Sequence, residues 1–230
     1  MTAKAIRGLC SMATRGLLDE LAVAYTRRTG VPVSFLAVGG VDAARRVAEG
    51  ELFDIVALAS EAIDKLVAAG RLDAAARVEL VRSGMGVAVR PGSAPPDIAT
   101  GEALRRAVLG AERIAYSTGP SGAALMALFE RWGIAAEVRG RLVQAPAGVP
   151  VAALLARGEA TLGFQQMSEL IGAEGIALLG PMPPDVQVVT VFSAAPCRGG
   201  AQPEAARALL AYLASADSAD AKRRHGMDPA

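Results

Sequence analysis

Hydrophobic positions in this chain alternate between two spacings. Short apolar runs at residues 5–9, 31–38 and 53–58 are each followed by a stretch in which apolar residues return every three or four positions. In the first such stretch, 15–28, these are Leu17, Leu18, Leu21, Ala22 and Tyr25, and Gly30 stands where a helix stops. The pattern recurs at 42–49, closed by Gly50, and at 60–69, closed by Gly70. It predicts the order βαβαβα, which requires a parallel sheet covered by helices on both faces and joined by right-handed crossovers.

The same unit begins again at residue 113. An apolar run at 114–116 breaks at Ser117-Thr118-Gly119-Pro120-Ser121-Gly122. A helix follows, with Leu125, Leu128, Phe129 and Trp132 on one face, Ser121 at the expected N-cap and Gly133 at the end. Such a turn aims backbone N–H groups and hydroxyls past the strand end, where the helix dipole favours negative charge. The first unit has a matching turn at 10–14, CSMAT. A glycine-rich strand at 84–89 and a loop at 90–99 with three prolines separate the two series. Further strands are predicted at 139–145, 161–165, 176–179 and 186–192, with helices at 102–108, 151–157, 167–172, 204–214 and the polar C-terminus. Two α/β halves imply two lobes, 1–86 with 188–230 and 87–187, whose helix N-termini face one cleft.

Composition narrows the function classes. Lys plus Arg number 24 against 23 Asp plus Glu, so the overall balance points to neither nucleic acid nor an acidic membrane surface. The longest basic run, Lys222-Arg223-Arg224, reads as a solvated helix end. No window approaches the roughly 20 apolar residues of a membrane span, so no membrane insertion is expected. A strand is predicted only a few residues after Met1, with no room for a leader before it, so the expected location is the cytoplasm, or the periplasm if a leader has been removed. Cys10 and Cys197 lack metal or CxxC spacing and are expected as reduced thiols. The chain has no GxSxG, GxxxxGK[ST] or HExxH motif, no GxGxxG after the first strand and no metal-ligand cluster; neither cofactor nor metal is expected.

The segments RGLLDELAVAYTRRTG, FDIVALASEAIDKLVAAG, AVRPGS, IAYSTGPSGAALMALFERWGI, LGFQQMSELI and GIALLGPMPPDVQ together resemble the type 2 periplasmic-binding-protein fold, in its molybdate-binding-protein-like branch. The resemblance spans essentially the whole chain. It implies two α/β lobes, each with a mixed, mostly parallel sheet flanked by helices, and a ligand cleft between them. In that branch two serine hydroxyls, two backbone amides and a tyrosine hydroxyl hold a tetrahedral oxyanion. Here the first serine's place falls at Ala13, the second at Gly39 or Gly40, and the tyrosine's at Gln166, while the amide positions fall near Ser121 and Val149. Three hydroxyls are missing or displaced, and a buried oxyanion without donors is costly.

Other groups stand in their place. Arg15 and Arg45 can pair with a carboxylate, and Ser11, Thr14, Ser60, Ser117, Thr118, Ser121, Gln165 and Gln166 add neutral donors. The expected ligand is therefore a small organic anion. The GFQQMSEL segment also resembles a sub-branch that includes aconitate isomerase, which implies isomerisation of an unsaturated di- or tricarboxylate. The catalytic group is unassigned; Glu61, Glu169, Tyr116 and Cys10 are the proton carriers near the expected cleft loops, and His225, the one histidine, lies in the polar tail without an evident partner. The alternative is a solute-binding component delivering an oxyanion or organic acid to an ABC permease, or an intracellular sensor.

Overall fold

The computed structural model describes residues 4–230. In chain order its elements are β1 (Ile6–Ser11), α1 (Arg15–Thr29), β2 (Val33–Val38), α2 (Gly40–Ala48), β3 (Ile55–Ala59), α3 (Ser60–Ala68), β4 (Val78–Val89), α4 (Gly101–Gly110), β5 (Ile114–Tyr116), α5 (Pro120–Arg131), α6 (Ala135–Val138), β6 (Leu142–Gln144), α7 (Val151–Ala156), β7 (Leu162–Gln166), α8 (Met167–Leu170), β8 (Ala177–Pro181), β9 (Val189–Pro196), α9 (Pro203–Ala214), α10 (Ala219–Arg224) and β10 (Met227–Pro229), with 3-10 turns such as Met12–Thr14 between them. They form two compact units: residues up to Ser83 with Thr190–Ala230, and Gly84–Val189. The boundaries read from the sequence stand at 86/87 and 187/188.

In the first unit the strand order is β2-β1-β3-β9. β1 runs parallel to both β2 and β3, β9 is antiparallel to β3, and β10 pairs antiparallel with the start of β4. Side chains of successive strand residues point to opposite faces. Accordingly Ile55, Ala57 and Ala59 of β3 join a core with Leu17, Leu21 and Leu209, while Val56 and Leu58 join another with Ala43, Val47 and Ile63. Burial on both faces explains why FDIVAL reads as a continuous apolar run. Asp54, just before β3, is buried and structural: it accepts hydrogen bonds from the backbone N–H of Arg7 (2.9 Å) and of Gln202 (3.0 Å).

The second unit repeats this plan. Its order is β6-β5-β7-β4, with β8 also paired to β4; β5 is parallel to β6 and β7, and β4 is antiparallel to β7 and β8. β1 and β5 thus hold equivalent places, each a central strand followed by a hydroxyl turn and a long helix. The expected pair of mixed sheets flanked by helices is present. Glycines end the long helices in the left-handed region, Gly30 at φ 73° after α1 and Gly133 at φ 69° after α5.

Several elements differ from the sequence reading. β4 starts at Val78, six residues before the glycine-rich run, because its exposed Glu79 and Arg82 interrupt the apolar signal. The strand expected over 186–192 begins at Val189. Before it, Gln187 uses its side chain like a peptide group, accepting from Met85 N–H (2.9 Å) and donating to the carbonyls of Met85 (3.1 Å) and Met182 (3.2 Å). α5 is capped by Gly119, with Pro120 at its first position, so Ser121 already lies inside the first turn. The basic run near the C-terminus is a solvated helix end only in part: Arg223 and Arg224 are exposed and pair with Asp220 and Glu20, whereas Lys222 is 2% exposed.

Candidate functional site

Parallel strands bring their carboxyl ends to one edge of a sheet, and in α/β folds ligands bind there. In the first unit Ser11 at the end of β1 stands opposite Val38 at the end of β2. α2 follows β2 after Gly39, and α3 follows β3 directly. The turn after β1 is tightly bonded: Thr14 Oγ1 donates to the Ser11 carbonyl (3.2 Å) and lies 3.4 Å from Ser11 Oγ. Ser11 is 6% exposed and Thr14 fully buried. Gly40, the first residue of α2, sits against this turn; a Cβ there would meet only Ser11 Cβ, at 3.7 Å. A Cβ is therefore accommodated at this position. Ala13 packs on the core of this unit. Ser60 opens α3, its Oγ 2.7 Å from Ser193 Oγ on β9.

The second unit offers an equivalent edge. Tyr116, the last residue of β5, pairs with Gln144 on β6 and Phe164 on β7. Ser117 and Ser121 face each other across the turn, Oγ to Oγ 3.0 Å, and Thr118 is exposed. In the first turn of α5 Gly122 and Ala123 N–H donate to the Gly119 carbonyl (3.0 and 3.3 Å), and Ser121 N–H, one position earlier, is of the kind that receives anions. Gly122 makes this turn possible, because a Cβ would lie 1.9 Å from the Ser117 carbonyl oxygen. Two residues serve other ends. Val149 N–H donates to the Pro146 carbonyl within its own loop (3.0 Å). Gln165, 3% exposed, accepts from Val151 N–H (2.8 Å) and donates through Nε2 to Glu169 Oε1 (2.7 Å). Gln166, beside it, is also buried and occupies the N-cap position of α8 without a side-chain capping bond.

The charged and titratable residues separate by environment. Arg15 begins α1, 60% exposed in its side chain, with one ion pair to Asp19 (Nε to Oδ2, 3.5 Å). Arg45 is held by two carboxylates of its own helix, Asp42 and Glu49, each at 2.6 Å. Glu61 is an exposed first-turn residue of α3. Cys10 is fully buried, and burial pushes its thiol up to about 12, so it stays protonated at neutral pH. Glu169 goes the other way among carboxyls: burial pushes it up to about 7, the Gln165 hydrogen bond opposing. His225 has the partner its sequence position hides, Glu20 on α1, with Nε2 2.9 Å from Oε2. Among the described residues no group of three or more His, Cys, Asp or Glu could hold a metal, and no helix is long and apolar enough to cross a membrane. A cavity of about 680 Å³ in the second unit lies under the proline-bearing loop and is lined by Arg90, Asp97, Arg106 and Thr161. It opens at the amino end of β7, away from the hydroxyl turns, and the chemistry is better read from the turns.

Comparison with known proteins agrees with this architecture. The chain is 40% identical over 227 residues to an aconitate isomerase of a Pseudomonas species, covering 96% of this chain and 86% of that protein. The periplasmic molybdate-binding protein of Azotobacter vinelandii superposes with a TM-score of 0.81 at 20% identity, over 96% of this chain and 98% of that one. The sulfate-binding protein of Mycobacterium tuberculosis gives 0.79 at 18% identity, over 98% and 87%. These two share the fold. Residues 6–228 match the family model described as bacterial extracellular solute-binding protein, and the chain belongs to that family.

Proposed function

We propose that this protein binds an unsaturated di- or tricarboxylate at the carboxyl-end turns and shifts its double bond, as an isomerase. The observation that carries the reading is 40% identity, across nearly the whole chain, to a protein named aconitate isomerase. The donors of each unit, taken by itself, support it: in the first, Ser11 ends β1, Ser60 opens α3 and Arg15 adds a cation with one weak intrahelical partner; in the second, Ser117 follows β5 and Ser121 lies in the first turn of α5. Ala13, Gly40 and Gln166 stand where a tetrahedral oxyanion would need hydroxyls. Each carboxylate of such an acid is planar, and a guanidinium meets it with two parallel bonds.

The test is a thermal-shift screen of cis- and trans-aconitate and related acids against molybdate, tungstate and sulfate. A ligand at 100 times its dissociation constant adds about 2.7 kcal/mol, a shift of several degrees for a chain of this size. The carboxylates are expected to raise Tm, and trans-aconitate to isomerise above the buffer control. A second reading rests on the molybdate- and sulfate-binding structures of the same fold: an anion-binding component working with an ABC permease. Stabilisation by an oxyanion without any turnover of carboxylates would select it. We assign the work to the cytosol, a reading supported by the two buried free thiols, Cys10 and Cys197; cell fractionation decides it.

A further inference from the structure

Shifting a double bond along a carbon chain requires a group that removes a proton from the allylic carbon and supplies one at the far end of the alkene. Glu169 is placed and held for this. It lies in α8, immediately beyond the carboxyl end of β7, the edge that also carries the hydroxyl turn of the second unit. Its orientation is imposed by a relay of two hydrogen bonds. Val151 N–H can only donate, so it fixes the Oε1 end of Gln165, and the Gln165 amide nitrogen is left to donate to Glu169 Oε1. A donor on Oε1 suits both the ionised and the neutral carboxyl and leaves Oε2 as the oxygen that gains and loses the proton. Gly163 makes the relay possible, since a Cβ there would meet Val151 Cγ1 at 2.7 Å and Leu155 Cδ1 at 2.9 Å and push α7 away.

Burial and the Gln165 hydrogen bond are what act on the Glu169 carboxyl. Ser168 Oγ, one residue earlier, is buried with no hydrogen-bond partner among the described residues. The charged side chains nearest along the flanking elements, Arg157 after α7 and Glu174 in the turn before β8, make no ion pair with Glu169, and Arg157 pairs with Glu159. Enclosure without a cation holds the carboxyl at about 7, where it can both accept and return a proton at neutral pH.

We propose that Glu169 is the catalytic acid–base of the isomerase, its Oε2 taking the allylic proton of an unsaturated polycarboxylate and returning a proton to the carbon at the other end of the double bond. This rests on the isomerase reading above. The C–H electron pair becomes the new double bond, and the old π pair takes the returned proton, so no oxidant or cofactor enters. Charge passing into the conjugated carboxylate is met by the neutral donors of the second unit's own hydroxyl turn, Ser117 and Ser121.

Glu169→Gln separates this role from a structural one, because its side-chain oxygen still accepts the Gln165 hydrogen bond while its amide carries no exchangeable acid proton. The expected result is a fall in kcat for aconitate isomerisation of about 10²–10⁴-fold, with Tm and ligand affinity at neutral pH close to wild type or higher, and loss of the limb near pH 7 in the kcat/KM profile. Turnover by E169Q within threefold of wild type overturns the assignment and leaves the isomerase reading standing. A wild-type protein that binds aconitate without turning it over removes the isomerase reading, and with it the catalytic role. The position of Glu169 at the ligand is then decided by binding alone: affinity that weakens as pH rises through 7 in wild type and stays flat in E169Q supports it, and equal slopes overturn it.

Discussion

The two arginines differ in what their own helices leave them. Arg45 has both terminal nitrogens engaged at 2.6 Å, whereas Arg15 keeps its terminal pair free of Asp19, which reaches only Nε. Arg15→Ala is expected to weaken carboxylate binding by on the order of 2 kcal/mol, and Arg45→Ala by much less, as measured by titration calorimetry. Similar small losses in both would return Arg15 to the solvated surface. At this scale the sequence was readable where a residue acts through the turn it sits in. Ser11, Thr14 and Ser117 stand at or just past strand ends, and Ser121 in the helix turn that follows, because hydroxyl-rich turns belong there. It was not readable where a donor is taken by a neighbour: Val149 N–H by Pro146, and Gln165 by Val151 and Glu169. Those bonds depend on how α7 lies on β7, and no spacing rule contains that. His225 is a similar case, since its partner Glu20 lies on the first helix, at the other end of the sequence.

Helical periodicity and apolar runs located the helices and the parallel strands, because each buries a continuous face and so leaves a regular signal. Elements that are very short, or whose buried positions are interrupted by charges, left a weak one. β10 is a three-residue strand ending in Pro229, and the first half of β4 carries two exposed charges. The start of α5 was misread by two residues, since Ser121 has N-cap chemistry but Pro120 fits the first helical position better. That helix start also yields a sharp expectation. Gly122→Ala places a methyl 1.9 Å from the Ser117 carbonyl oxygen, a backbone atom that cannot rotate away. The substitution is expected to cost about 1–3 kcal/mol in chemical denaturation and to weaken anion binding at the same turn. Unchanged stability would mean that the turn relaxes freely and does not hold its donors in place.

For the molecule as a whole, Glu169 makes stability depend on pH in a direction opposite to that of most carboxylates. Its value is raised in the folded state from 4.5 to about 7, so between those values the folded protein binds more protons than the unfolded chain. Its contribution is complete below about 4.5 and is lost as pH rises through 7, a change on the order of 3 kcal/mol. Relative to wild type, E169Q should therefore gain stability as pH rises from 4.5 to 8, which parallel melts would show. The order of strands has a consequence of another kind. β3 pairs with β9, Ala57 opposite Ala194, with all of Gly84–Val189 intervening in the sequence. During synthesis the second unit is complete and contiguous while the first still lacks the strand that covers β3. A nascent chain that has reached Val189 therefore displays an open strand edge bordered by apolar residues, the kind of surface on which neighbouring chains add strands. Emergence of Thr190–Ala230, which brings the rest of β9 and two covering helices, ends that exposure.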